Sequence, residues 1–263
     1  MLTPNPALLP NPALLETLRA RLEAMQPRVG YGVWPFGDRR VDGCLVGGGL
    51  ARGALHEVAA EGIEAETGAV GAGFVACLLA GMKPGGVVFW IGPAADLYPA
   101  GLLGYGLDPG RIVQVLTRDD AGSLAAMETV LRGGGAAAVV AEIGRIGRIA
   151  GRRLQLACLR HGVTGFVLRR WPHGQKAAED ATAAVTRWRI AAAPSALPPS
   201  VLQGEGRARW RVELVHARGG MEGAWIMETG GRDATHSLRV VAELVDSAVA
   251  PPGRRVAGRR VTE

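Results

Sequence analysis

The 263-residue chain has no apolar run long enough to cross a bilayer: the longest, at 70–82, spans about 13 residues against the roughly 20 a spanning helix needs. Its beginning, MLTPNPALLPNPALLETL, has no early Lys or Arg and is broken at Asn5-Pro6 and Asn11-Pro12, which excludes the pattern of a secretory signal. Cysteine is scarce. Cys44, Cys77 and Cys158 are far apart and in no CxxC or Cys/His spacing, so a disulfide framework and a zinc site are both excluded, and buried or incidental thiols are expected. The five histidines form no HExxH, and Ser195 is not in a GxSxG elbow. No catalytic residue, metal site or cofactor is therefore assigned. Aromatics make up only 5% of a composition that is 48% hydrophobic and rich in small aliphatics, the usage of a globular α/β protein. The expectation from these absences is a cytoplasmic protein with no membrane contact.

What is present begins with charge. The net charge of +6 is unevenly placed: residues 1–142 carry net −4, residues 143–218 net +10, and residues 219–263 net zero. A basic block of this kind suits a surface that meets phosphates, and would serve an acidic protein partner equally well.

Along the chain, Asn11 and Pro12 form a helix start, and Leu14, Leu15, Leu18, Leu22 and Met25 fall on one stripe, which predicts an amphipathic helix at 12–25. A Gly-rich turn then leads to a strand at 54–58, a helix at 71–79 and the apolar strand VVFWI at 87–91. Helices at 94–104, 121–131 and 147–161 alternate with strands at 112–116, 136–141 and 164–168, which predicts an α/β fold with a mainly parallel central sheet flanked by helices. Beyond 169 the character changes to Arg-rich loops, the Pro/Ser stretch 193–200, and alternating strands. RWRVELV at 209–215 and AWIMET at 224–229, across Gly219-Gly220, read as an antiparallel hairpin extension on the C-terminal side. The expected divisions are an N-terminal helix at 1–28, a core at 29–190, the hairpin extension at 191–245, and a flexible basic tail at 246–263.

In order, VDGCLVGGGLARGALHEV, VVFWIGP, LDPGRIVQVLTRD, AAAVVAEI and RRLQLA followed by GVTGFVLR resemble the core of the RecA/RadA recombinases. More narrowly, GGGLARGALHEV, YPAGLLGYGLDPGRIV, GRRLQLACLRHGVTGFVLR, TRWRIAAAPSA and RWRVELVHARGG resemble the ImuA family over about residues 12–230. The resemblance implies a RecA-like accessory protein of the SOS response to DNA damage, acting in DNA repair, mutagenesis and translesion synthesis. The implied partners are an ImuB-like polymerase-related protein, RecA, an error-prone DNA polymerase and single-stranded DNA.

A RecA-type ATPase would carry GxxxxGK[ST] after the strand ending near Val58, with backbone amides around the phosphates and a Lys to neutralise them. This chain reads AAEGIEAETGAVGAGFVACLLAGMK, with no Lys or Arg between Arg52 and Lys83 and with Glu61, Glu64 and Glu66 in the way. Gly68, Gly71 and Gly73 remain as a degenerate loop. By the resemblance, the Glu that positions water gives way to Gly92, Pro93, Ala94 and Ala95. The Mg²⁺-holding Asp aligns with Ala141, and Glu142 one residue on points to the opposite strand face. ATP hydrolysis is accordingly not expected.

Arg145, Arg148, Arg152, Arg153, Arg169, Arg170, Trp171 and Lys176 occupy, by the resemblance, the places of the two DNA-channel loops of recombinases, and are the candidate nucleic-acid or partner surface; a solvated helix face is the bland alternative. Trp188 and Trp210, each between two arginines, point away from them on a strand and are expected in the core. The leading expectation is a non-catalytic adaptor. Its rivals are a divergent ATP-dependent RecA-like motor and a cell-division inhibitor of the SulA type.

Overall fold

Runs rich in Val, Ile and Ala that sequence places far apart lie side by side in a computed structural model of the chain, as strands of one nine-stranded sheet. The structure describes residues 30–61, 64–82, 86–170, 182–195, 206–230 and 237–244, with the backbone alone for 64–68. The expected helix at 12–25 and tail at 246–263 lie outside these residues, as do Trp171 and Lys176.

In chain order the elements are β1 (Val33–Trp34), α1 (Arg39–Asp42), β2 (Leu50–Ala51), β3 (Leu55–Ala60), α2 (Glu64–Gly81), β4 (Val88–Gly92), α3 (Pro99–Leu102) and β5 (Ile112–Leu116). They continue with α4 (Asp120–Gly133), β6 (Ala138–Ile143), α5 (Arg148–His161), β7 (Thr164–Arg169), β8 (Thr186–Ala193), β9 (Arg209–Ala217), β10 (Gly223–Thr229) and β11 (Leu238–Glu243). The sheet order is β11-β10-β9-β8-β3-β7-β6-β4-β5. From β8 to β5 all pairs are parallel, and β9, β10 and β11 add antiparallel strands beyond β8. β1 and β2 form a separate two-stranded ribbon.

Helices cover both faces of the parallel half. α2 lies on one side, where Phe74, Val75 and Leu79 join Val58, Val140, Phe166 and Leu168. α4 and α5 lie on the other, where Met127, Leu131, Leu154 and Cys158 join Val139, Ala141 and Val167. Every residue of β6 and β7 is buried in consequence. The α2-side core runs on under the antiparallel strands, where Phe74 meets Trp188 and Trp210 with ring centroids 5.9 and 6.2 Å away and Trp225 packs on Trp188 at 6.5 Å. Burying one such ring contributes about 3 kcal/mol. Trp188 and Trp210 are thus in the core, as their alternation with arginines requires.

Two expected helices differ from those observed. The helix expected at 71–79 begins seven residues earlier, at Glu64. The helix expected at 94–104 shrinks to α3 and a 3₁₀ turn at Leu103–Tyr105, ended by Gly106 at φ 87°. Gly101, Gly104 and Gly106 remove the helical preference that the apolar residues there would otherwise express.

β3, the central strand, carries polar residues that the surrounding structure satisfies. His56 is fully buried, with Nδ1 2.8 Å from the Thr186 hydroxyl and Nε2 2.8 Å from the Ala51 carbonyl. Burial holds its pKa down at about 4, against the opposing pull of the Ala51 carbonyl. Glu57 pairs with Arg169 across the neighbouring strand at 3.7 Å.

Candidate functional site

In an open parallel sheet, ligands sit beyond the carboxyl ends of the strands. At the end of β3 only Glu61, Gly62 and Ile63 separate the strand from α2. A phosphate cradle needs a longer loop whose amides turn inward. Gly68, Gly71 and Gly73, expected in such a loop, are instead within α2. At two of them the physical reason is close packing: a Cβ on Gly71 would meet Leu168 Cδ1 at 2.7 Å, and one on Gly73 would meet the Tyr105 ring at 2.9 Å. The run EAETGAVGAG is therefore helix, because its glycines let α2 approach β7 and the 3₁₀ turn. Glu61 is not loose either. Its amide donates to the Ile190 carbonyl at 2.7 Å, and its carboxylate accepts from Arg211 at 2.7 Å and pairs with Arg189 at 3.5 Å.

Beside this connection, at the ends of β4, β6 and β7, lies a cavity of about 490 Å³ bordered by Ala72, Asp96, Tyr98, Tyr105, Glu142 and Arg170. The strand alternation places Ala141 on the α4/α5 side and Glu142, with Ala138 and Val140, on the α2 side facing this cavity. The acid is already engaged. Trp90 Nε1–H donates to Glu142 Oε1 at 2.7 Å, and Arg170 Nη1 donates to Oε2. Arg170 also forks onto Asp96 at 2.7 and 3.0 Å, and this hydrogen-bonded guanidinium holds the Asp96 carboxyl below its ordinary range. Gly92 is part of the arrangement, since a Cβ there would lie 3.0 Å from Glu142 Oε2. A side chain at position 92 would press on Glu142 and require it to shift by a few tenths of an ångström. No group of three or more His, Cys, Asp or Glu that could hold a metal ion occurs among the described residues.

The predicted basic surface divides. Arg145, Arg148, Arg152 and Arg153 are exposed on α5 and the turn before it, a turn pinned where Asp120 accepts from the amides of Gly144 (3.1 Å) and Arg145 (2.9 Å). Arg153 pairs with Glu128 of α4, which also holds Arg132. Ile149, 81% exposed, and Leu156 interleave with these arginines. Arg169, by contrast, is buried against Glu57, and Arg170 is turned inward to Glu142 and Asp96. Neither belongs to an exposed basic surface: β7 extends to Arg169 with helices on both faces, and the cavity acids draw Arg170 in.

A second set of charges, which sequence reading noticed only as alternation, stands on the outer face of β8–β11. Arg189 and Arg211 bridge Glu61 and Glu213. Glu228 holds Arg207 at 3.7 Å, Arg209 at 2.8 Å and Arg239 at 3.0 Å. Burial pushes its pKa up, but Arg209 and Arg239 outweigh that and bring it below the ordinary value. Cys77 and Cys158 are inert by position: burial pushes Cys77 far up and Cys158 to about 12.

No family model matches the chain. Two curated proteins, both named Protein ImuA and from two strains of Caulobacter vibrioides (NA1000 / CB15N and ATCC 19089 / CIP 103742 / CB 15), are each 45% identical to it over 233 residues. Each alignment covers 85% of this chain and 95% of the relative. With identity of that extent, the chain belongs to the ImuA family.

Proposed function

We propose that this protein is a non-catalytic accessory of SOS mutagenesis and translesion DNA synthesis, an adaptor that brings an ImuB-like polymerase-related partner, with RecA and an error-prone DNA polymerase, to damaged single-stranded template in the cytoplasm. The observation that carries the non-catalytic part is the three-residue connection between β3 and α2. Phosphoryl transfer is achieved by positioning and charge neutralisation. Here the strand end offers a carboxylate, Glu61, already bound to two arginines, and the acid facing the neighbouring cavity, Glu142, is committed to Trp90 and Arg170. The family membership supports the partner assignment. That no helix among the described residues is long and apolar enough to cross a membrane fits the assigned compartment.

The test is co-purification with the ImuB-like protein together with titration of labelled ATP. Stable capture of the partner with no saturable nucleotide binding is the expected result. Saturable micromolar ATP binding accompanied by hydrolysis, both lost on Glu142→Gln in a protein that still melts as wild type, would instead favour the divergent motor that the 490 Å³ cavity at the strand ends could serve.

A further inference from the structure

The antiparallel strands have two unlike faces. On one, Trp188, Ile190, Trp210, Val212, Trp225 and Met227 fill the core beside α2. On the other, the alternate positions of β8, β9 and β11 place Arg187 and Arg189, Arg209 and Arg211, and Arg239, while Arg207 joins them from just before β9. Arg189, Arg207, Arg209, Arg211 and Arg239 meet three carboxylates, Glu61, Glu213 and Glu228, leaving a surplus of two positive charges among these groups. The surplus is concentrated where the almost fully buried Glu228 gathers Arg207, Arg209 and Arg239. One negative charge then sits among three guanidiniums, and the Arg207 and Arg239 side chains are 51% and 63% exposed. A guanidinium has five N–H donors, so a contact to Glu228 leaves others to face outward, with the side chain already ordered.

We propose that the outer face of β8–β11 is where this protein meets single-stranded nucleic acid, through the phosphates, with Arg207, Arg209 and Arg239 above Glu228 as the principal phosphate seat. This rests on the adaptor reading above and supplies its template-binding surface. Arg207, Arg209 and Arg211 recur at every second residue, a spacing of about 6.8 Å if the chain stays extended. That row suits the regular charge repeat of a nucleic-acid backbone better than the irregular charges of an acidic protein. Trp188, Trp210 and Trp225 of these strands lie on the opposite face, so among the described residues this surface offers bases no tryptophan to stack on, and binding is indifferent to sequence. The α5 surface differs in kind, because exposed Ile149 and Leu156 interrupt its arginines and Glu128 occupies Arg153.

The experiment titrates labelled oligothymidine against the full chain across a salt series, for wild type, the pair Arg207→Gln/Arg239→Gln, and the α5 pair Arg148→Gln/Arg152→Gln. Wild type binds with an affinity that falls steeply with salt. The first pair loses on the order of tenfold at low salt, and its log–log salt slope flattens by about 1.4, near 0.7 per lost contact. The α5 pair keeps most of its affinity. Both variants replace exposed side chains, and unchanged melting temperatures confirm that each is folded. The inference is overturned if wild type does not bind, if the α5 pair loses the affinity and the first pair does not, or if polyglutamate competes as well as the oligonucleotide. In each of those cases, continued capture of the ImuB-like partner leaves the adaptor reading standing.

Discussion

β7 and β9 are both strands of one sheet, yet a step of one residue means something different in each. On β7, Phe166 faces α2 and Val167 faces α4 and α5, and both are buried. On β9, Val212 is buried and Arg211 beside it is 42% exposed. The parallel half is enclosed because right-handed crossovers lay helices on both of its faces. In the antiparallel half β9 and β10 are joined by a short turn, and among the described residues no helix covers the outer face, which is left to charge. Enclosure and openness in this molecule follow from how the strands are connected.

Paired substitutions put that difference to measurement by chemical denaturation. On β7 both steps are costly: Phe166→Ala destabilises by about 3–5 kcal/mol and Val167→Ala by roughly 2 kcal/mol. On β9 only one is: Val212→Ala also costs roughly 2 kcal/mol, whereas Arg211→Ala costs less than about 1 kcal/mol. Equal costs for the two β9 residues would mean that something covers the outer face.

At the junction of the two halves, His56 bonds to Thr186 of β8 and gives the comparison a pH dependence. Its folded pKa, about 4, lies below the ordinary 6.5, so between those values the unfolded chain binds the extra proton. The neutral ring's contribution is complete above pH 6.5 and is lost as pH falls toward 4, about 3 kcal/mol in all. His56→Gln removes that dependence, which stability measured across pH 4–7 would reveal. A smaller effect separates two glycines of α2. Gly71→Ala forces Leu168 aside and destabilises by about 1 kcal/mol, whereas Gly81→Ala meets nothing within 4 Å and is neutral or slightly stabilising in thermal melts.

These same features mark what sequence made legible. β4, β6 and β7 read as continuous apolar runs because both of their faces are covered, and the edge strand at 112–116 is recovered to the residue although none of its residues is buried. The hairpin read as alternation because only one of its faces is buried. The start of α2 did not read as helix, because three glycines in ten residues mimic a loop unless Leu168 and Tyr105 are known to need the space. β11 and the β1–β2 ribbon went unread: the ribbon strands are two residues each, and the alternation of β11 is broken where the register shifts at Val241. At the site, the missing phosphate lysine was visible in one stretch of sequence. The inward turn of Arg170 was not, since its partners Asp96 and Glu142 lie 74 and 28 residues away. The gathering of Arg207, Arg209 and Arg239 on Glu228 likewise needs three strands in register.

β3 also has a history during synthesis. It leaves the ribosome well before either neighbour: His56 pairs with Phe166 of β7 and with Thr186 of β8, the latter 130 residues later. At translation rates of roughly 5–20 residues per second, the strand waits on the order of ten seconds with both edges unpaired. Its sequence suits that wait. In LHEVAA the imidazole and carboxylate that the finished sheet encloses are, until then, the groups that keep a nascent strand hydrated and slow to pair with another chain.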